Sequence, residues 1–232
     1  MSFWDRLKSS IRAIRKGESL DSVFDRLVHE PERSVSFTIA VIALGAKMAK
    51  ADGQVTRDEV AAFREAFQIP PHAEREAARV YNLARQDVTG FDVYAERVAK
   101  MFADRPAVLA DLLEGLCHVA GADGRFHPDE EAFLDEVARI FGIGEAEYRA
   151  IKARQIPGEE DPWAVLGAEP GMEADALRRH YRRLVRELHP DALMARGVPA
   201  EARALAEKRL AAVNAAYAAI TGSSRRLDGA PA

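Results

Sequence analysis

The chain has little cysteine and no long hydrophobic run, and each shortage excludes a class of protein. Among its 232 residues the one cysteine, Cys117, has no partner for an internal disulfide or a cysteine-based zinc site, so a reducing cytoplasm suits it. The longest apolar stretch, residues 37–46, is far shorter than the roughly 20 residues that span a bilayer. We therefore expect no transmembrane helix, and the charges of Asp5, Arg6 and Lys8 argue against a signal peptide.

The chain also lacks a strong excess of charge of one sign. Lysine and arginine total 33 against 37 acidic residues, a net charge of -4, so no overall field attracts the protein to nucleic acid. The arginine-rich stretch at residues 175–188 and the Arg225-Arg226 pair lack the aromatic platforms and the overall basicity of nucleic-acid binders, and we expect no such partner. No nucleophile–base set or phosphate loop occurs, so we expect no enzyme.

What the chain does have is a helical pattern. Hydrophobic residues make up 48% of the chain and charged residues 30%, which indicates a globular protein with a sizeable core. The apolar residues recur mostly at a period of 3.6, which predicts an all-α fold. Before residue 156 we predict helices over residues 35–51, 56–67, 72–86, 91–103, 107–122, 128–141 and 145–155.

Breaks in this pattern divide the chain into five segments. Residues 156–160 begin a stretch with two prolines, a glycine and three acids, which is typical of a linker. The predicted segments are an amphipathic start at 1–32, a helical domain at 33–155, the linker at 156–160, a smaller helical domain at 161–221 and a disordered tail at 222–232.

An acidic corner occurs twice in the larger domain. Residues 51–59 read ADGQVTRDE and residues 122–130 read ADGRFHPDE. In each corner the glycine suits the left-handed turn after a helix, and a new helix starts behind Thr56 or His127. This helix capping accounts for each residue, and we favour it because the run does not match an EF-hand loop.

The alternative interpretation of the corners is a divalent cation site, because hard cations prefer clustered carboxylate oxygens. Its ligands would be Asp52, Asp58, Glu59, Asp123, Asp129 and Glu130. The paired corners within an all-helical domain resemble the TerB-like family over about residues 33–152. That resemblance implies a metal-binding or interaction module, and it identifies no ligand here. We predict no other cofactor.

The smaller domain carries the sharpest motif, His189-Pro190-Asp191, directly after a predicted helix. Proline disfavours helical geometry in the residue before it and has no N–H donor, so we expect the imidazole and the carboxylate to project from a loop. The helix has an apolar stripe of Leu177, Tyr181, Leu184, Val185 and Leu188. Its opposite face, which we call the arginine face, consists of Arg178, Arg179, Arg182, Arg183 and Arg186.

A further helix follows the motif. Its apolar residues are Ala206, Leu210, Val213, Tyr217 and Ile220. Their steps of three and four predict an antiparallel partner for the preceding helix.

These features together are similar to a J-domain. The similar stretches are residues 161–167 (DPWAVLG), 177–191 (LRRHYRRLVRELHPD) and 213–220 (VNAAYAAI). Residues 193–199 (LMARGVP) look like the loop of the DjlA branch of DnaJ-type cochaperones, which also place a TerB-like domain ahead of a C-terminal J-domain.

The resemblance implies a cochaperone that stimulates ATP hydrolysis by a DnaK-type chaperone. In that family the His-Pro-Asp residues are essential for stimulation, and the basic helix docks on an acidic surface of the chaperone. The Gln-Lys-Arg motif that the family often carries in its third helix reads Glu207-Lys208-Arg209 here, which puts regulation through that motif in doubt. No motif identifies the client protein.

Two alternatives stay open at this point. Residues 1–16 place apolar side chains on one helical side and basic ones elsewhere, which is typical of a segment that rests on an anionic membrane surface or packs on its own domain.

The alternative function is a metal- or stress-responsive sensor or scaffold, in which the TerB-like domain senses and the J-domain is the output.

Overall fold

The structure is a computed structural model that describes residues 40–48, 57–66, 74–86, 90–158, 161–196, 198 and 203–228. Every regular element in these ranges is a helix, which confirms the all-α prediction. The predicted amphipathic start at 1–32 lies outside the described residues. Within the same ranges no helix combines the length and the apolar character that crossing a membrane requires.

Seven helices of the described chain precede residue 156, and the sequence predicts each of them. They are residues 40–48 (α1), Arg57–Ala66 (α2), Glu74–Gln86 (α3), Phe91–Met101 (α4), Pro106–Ala120 (α5), Pro128–Phe141 (α6) and Glu145–Gln155 (α7). The prediction extends α5 to residue 122, but this helix ends two residues earlier because Gly121 caps it. The amide of Gly121 donates to the carbonyl of Cys117 at 2.9 Å.

Four described helices follow. They are Pro162–Leu166 (α8), Ala174–Glu187 (α9), Pro190–Ala195 (α10) and Arg203–Asp228 (α11). The predicted disordered tail is wrong for residues 222–228, because α11 continues through them. Extending an existing helix adds one hydrogen bond for each residue fixed, so a single glycine, Gly222, at a cost of about 1 kcal/mol, does not end it. Residues 229–232 lie outside the described part.

Helix α5 forms the centre of the larger hydrophobic cluster. It contacts α2, α6 and α7, and its residues Leu112, Leu113 and Leu116 are fully buried. A helix that is apolar around most of its circumference is stable only when other elements cover it. The helices around α5 contribute the rest of this core.

A smaller cluster lies between α7, α8, α9 and α11. Its buried residues are Ala153, Val165, Leu166, Leu177, Val213, Ala216 and Ile220. The rings of Tyr181 and Tyr217 stack with their centroids 4.0 Å apart, and the Tyr181 hydroxyl donates to Oδ1 of Asn214 at 2.9 Å. Most residues of the apolar stripes predicted for α9 and α11 therefore lie in this cluster, whereas Ala206 packs in the larger one. The antiparallel hairpin stays a prediction.

The two clusters are not separated by a free linker. Ile156, at the start of the predicted linker, is 2% exposed and belongs to the larger cluster. Leu193, Val198 and Leu205, which the sequence assigns to the smaller domain, belong to the larger cluster as well. The prolines and acids of this stretch indicate a linker by composition, but its apolar residue packs into the core and the two parts share an extensive contact.

Candidate partner-binding site

The His-Pro-Asp residues begin a helix. His189 is the N-cap of α10 with φ -62° and ψ 138°, and Pro190 is its first helical residue. This differs from the predicted loop, because proline fits the first position of a helix, where its missing N–H would have no partner in any case. The amide of Asp191 donates to Nδ1 of His189 at 3.3 Å, so the motif supplies its own cap.

Both polar side chains of the motif are accessible. The side chain of His189 is 51% exposed and that of Asp191 is 75% exposed, while Pro190 between them is buried. Nδ1 of His189 lies 3.6 Å from Oδ2 of Asp191, which is too long for a hydrogen bond. The carboxylate and the imidazole are therefore both able to bind groups of a partner.

The arginine face lies on α9, immediately before this turn. All five of its arginines are exposed, and Leu177 on the other side of the helix is buried. Arg178 lies 3.8 Å from Asp175, and Arg183 lies 3.1 Å from Glu187. Within the described residues the other three arginines form no ion pair, so the face carries an excess of positive charge toward the solvent.

The second acidic corner has the structure that capping predicts. Gly124 has a φ of +76°, and Oδ1 of Asp123 accepts a hydrogen bond from the amide of Arg125 at 2.8 Å. The amide of His127 donates to Oε2 of the buried Glu130 at 3.1 Å, one half of a capping box. The capping interpretation is thus confirmed at this corner.

The cation hypothesis stays a prediction. Asp129 is exposed, Asp52 lies outside the described residues, and so do the side chains of Asp58 and Glu59. In the part of the chain that is described, no group of three or more histidine, cysteine, aspartate or glutamate residues is arranged to hold a metal ion.

Sequence reasoning missed a buried ionic network, defined by Asp111, Glu114, Arg154, Arg196 and Arg209. Glu114 binds Arg154 through two hydrogen bonds of 2.9 Å, and Asp111 accepts a hydrogen bond from Nη1 of Arg209 at 2.7 Å. Both acids lie in α5, and their presence in an otherwise apolar helix is the signal that could have identified them. Buried carboxylates require cationic partners.

The network shifts the pKa values of Glu114 and Arg209. Burial by itself raises the pKa of Glu114, but the neighbouring guanidinium groups of Arg154 and Arg209 outweigh it and lower this pKa from 4.5 to about 2. The same proximity raises the pKa of Arg209 despite its burial. Both groups are therefore charged at neutral pH.

The profile of the family described as "Tellurite resistance protein TerB" matches residues 38–153, half of the sequence. The chain belongs to the TerB family. This match extends from the start of α1 to the last turn of α7, and it includes the second acidic corner and both acids of the buried network.

Relatives extend this similarity beyond the TerB-family part. The chain is 26% identical to the "Co-chaperone protein DjlA" of Photobacterium profundum, over 89% of this chain and 84% of the relative. It is 28% identical to that of Coxiella burnetii, over 73% and 71%, and 23% identical to that of Escherichia coli K12, over 82% and 80%. No solved structure matches. The chain is therefore a TerB-family member that is similar to these DjlA proteins over most of its length.

Proposed function

We propose that this TerB-family chain is a J-domain cochaperone that stimulates ATP hydrolysis by a DnaK-type chaperone. In this proposal residues 33–155 form the TerB-like domain and residues 161–221 the J-domain. The observation that carries it is the placement of the exposed His189 and Asp191 at a proline-started helix directly beside the arginine face. The similarity to proteins named DjlA over most of the chain supports the same function.

The two parts of this surface have separate tasks in binding. Exposed arginines raise the rate at which an acidic surface of the chaperone is encountered and orient it, because charge acts over roughly 8–10 Å in physiological salt. His189 and Asp191 then make short-range contacts that depend on direction. The ATP and the residues that hydrolyse it belong to the chaperone.

The TerB-like domain then has a targeting or regulatory task. Its own site for a client is not identified by any motif, and its contact with α10 and α11 gives it a physical route to the J-domain. In this proposal the chain acts by changing the rate of its partner rather than by reacting with a substrate.

A single-turnover assay of ATP hydrolysis tests the proposal. The full chain is added to a DnaK-type chaperone loaded with ATP, and His189→Gln is compared with the unmodified protein. We expect stimulation by the unmodified chain and none by His189→Gln, because glutamine cannot reproduce the imidazole ring. Arg139→Gln, at an exposed residue of α6, is the control and should stimulate normally. A folded unmodified chain that gives no stimulation would contradict the proposal.

A further inference from the structure

Arg196 connects the two ends of the His-Pro-Asp turn to the TerB-family part of the chain. It follows α10, and its Nη1 donates to the carbonyl of Glu187 at the end of α9, at 2.8 Å. Its Nη2 donates to Oδ2 of Asp111 in α5 at 2.9 Å, and its Nε donates to the same oxygen at 3.3 Å. One guanidinium group therefore joins the helix before the turn to α5.

The backbone of Arg196 is held as well. Its amide donates to the carbonyls of Ala192 and Leu193 at the end of α10, and its carbonyl accepts a hydrogen bond from Nη1 of Arg105 at 2.9 Å. Leu193, one turn earlier, is 3% exposed and packs in the larger cluster. The segment that follows His189 is thus anchored on the TerB-family part by both polar and apolar contacts.

Asp111 is the central residue of this anchor. Its side chain is 5% exposed, and its two oxygens accept hydrogen bonds from Arg196 and from the buried Arg209 of α11. Charge-assisted hydrogen bonds are shorter and stronger than neutral ones, and low surrounding dielectric strengthens them further. A carboxylate of α5 therefore fixes Arg196 relative to α11.

Helix α10 needs such support. It has six residues, and an isolated helix of that length is not stable in water. The direction in which it presents His189 and Asp191 therefore depends on tertiary contacts.

We propose that Asp111 and Arg196 are positioning residues that orient the His-Pro-Asp turn, so that the TerB-like domain sets how strongly the J-domain stimulates its partner. This inference rests on the function proposed above. It adds that the TerB-like domain acts within the same chain, through a charge pair that links α5 to the residue behind α10.

The test is a titration of the full chain in the single-turnover assay, with Asp111→Asn, Arg196→Gln and the double variant. We expect each single change to lower the maximal stimulation by at least about fivefold and to change the half-maximal concentration, which the arginine face determines, by less than about twofold. The double variant should be no worse than the poorer single variant, because the contact between Asp111 and Arg196 is already lost in each single variant. Glu136→Gln, which breaks the exposed pair between Glu136 and Arg139 of α6, is the matched control and should stimulate normally.

Thermal melting of every variant separates positioning from unfolding. If Asp111→Asn does not fold, Arg196→Gln carries the test alone, because its side chain is 26% exposed and its loss leaves Asp111 paired with Arg209. Additive losses in the double variant, or a loss confined to the half-maximal concentration, would overturn the positioning role. So would full stimulation by folded Arg196→Gln.

The positioning role and the proposed function fail in different ways. If the unmodified chain gives no stimulation, the cochaperone function fails, and the role of Asp111 is judged from the NMR resonances of the His189 ring and the Asp191 amide. Shifts of these resonances in Arg196→Gln but not in Glu136→Gln support positioning of the turn. Unchanged resonances overturn it.

Discussion

Glu114 of α5 and Arg209 of α11 form a buried ion pair, with Oε1 of Glu114 and Nε of Arg209 2.9 Å apart and both side chains 2% exposed. Arg154 of α7 binds the same carboxylate from another side. The pair joins the long C-terminal helix to the centre of the TerB-family part. A buried pair is costly to break, because removal of one partner leaves the other charge without compensation.

The first prediction concerns the stability that depends on this carboxylate. Glu114→Gln should lower the free energy of unfolding by roughly 3–5 kcal/mol, because Arg154 then remains buried without a carboxylate partner and Arg209 keeps only Asp111. Denaturant unfolding of the full chain, followed by circular dichroism, measures the change. Glu136→Gln is the control, since Glu136 pairs with Arg139 on the surface, and it should barely move the unfolding midpoint. Equal losses in the two variants would contradict the prediction.

The second prediction is the pH dependence of that stability. The pKa of Glu114 is lowered from 4.5 to about 2 in the folded chain, so the unfolded chain takes up a proton first as the pH falls. The stabilisation from the charged carboxylate is therefore complete above about pH 4.5 and is lost progressively between about pH 4.5 and pH 2. The denaturant concentration at the unfolding midpoint, measured from pH 7 down to pH 2, should decrease between about pH 4.5 and pH 2. The fall should be smaller in Glu114→Gln, and an identical profile in both proteins would refute the assignment.

The sequence predicts the helices of this fold better than its ionic contacts. The seven helices up to Gln155 follow from apolar periodicity, which is a local property of each segment. The network of Asp111 with Arg196 and Arg209 joins residues far apart in the chain, and no local pattern encodes such a pair. The helical continuation beyond Ile220 was missed for a related reason, since Gly and Ser composition indicates a tail whereas an existing helix extends at low cost.

The candidate site also has features that the sequence predicts and one that it does not. Exposure of the arginine face follows from helical spacing alone, and so does the burial of Leu177 on the opposite side. The start of a helix at Pro190 could also have been predicted, because proline favours the first helical position as much as it ends a preceding helix. The anchoring of Leu193 in the larger cluster could not, because it depends on how two distant parts of the chain pack.

The third prediction concerns divalent cations. At the second corner the carboxylates of Asp123 and Glu130 already accept backbone hydrogen bonds, so we expect Ca²⁺ or Mg²⁺ to leave the melting temperature unchanged. A ligand that binds only the folded state raises the melting temperature as its concentration rises. Thermal melts at increasing cation concentration, with a matched salt control, measure this effect. A rise that disappears in Asp123→Asn would contradict the prediction and favour the metal-responsive alternative.

The fourth prediction separates the arginine face from the His-Pro-Asp turn. Arg182→Ala removes an exposed cation that has no ion pair within the described residues, so the fold should be unaffected. If the face guides an acidic surface of the chaperone, the association rate should fall severalfold at low salt and much less at high salt, because ions screen exposed charges. Stopped-flow association with the DnaK-type chaperone at two ionic strengths measures this. Maximal stimulation at saturation should be unchanged, in contrast to His189→Gln. Arg139→Ala, which removes an exposed cation from α6 instead, should retain the rate and salt dependence of the unmodified chain. A loss in Arg182→Ala that is equal at both ionic strengths would show that Arg182 makes a short-range contact and does not guide the encounter.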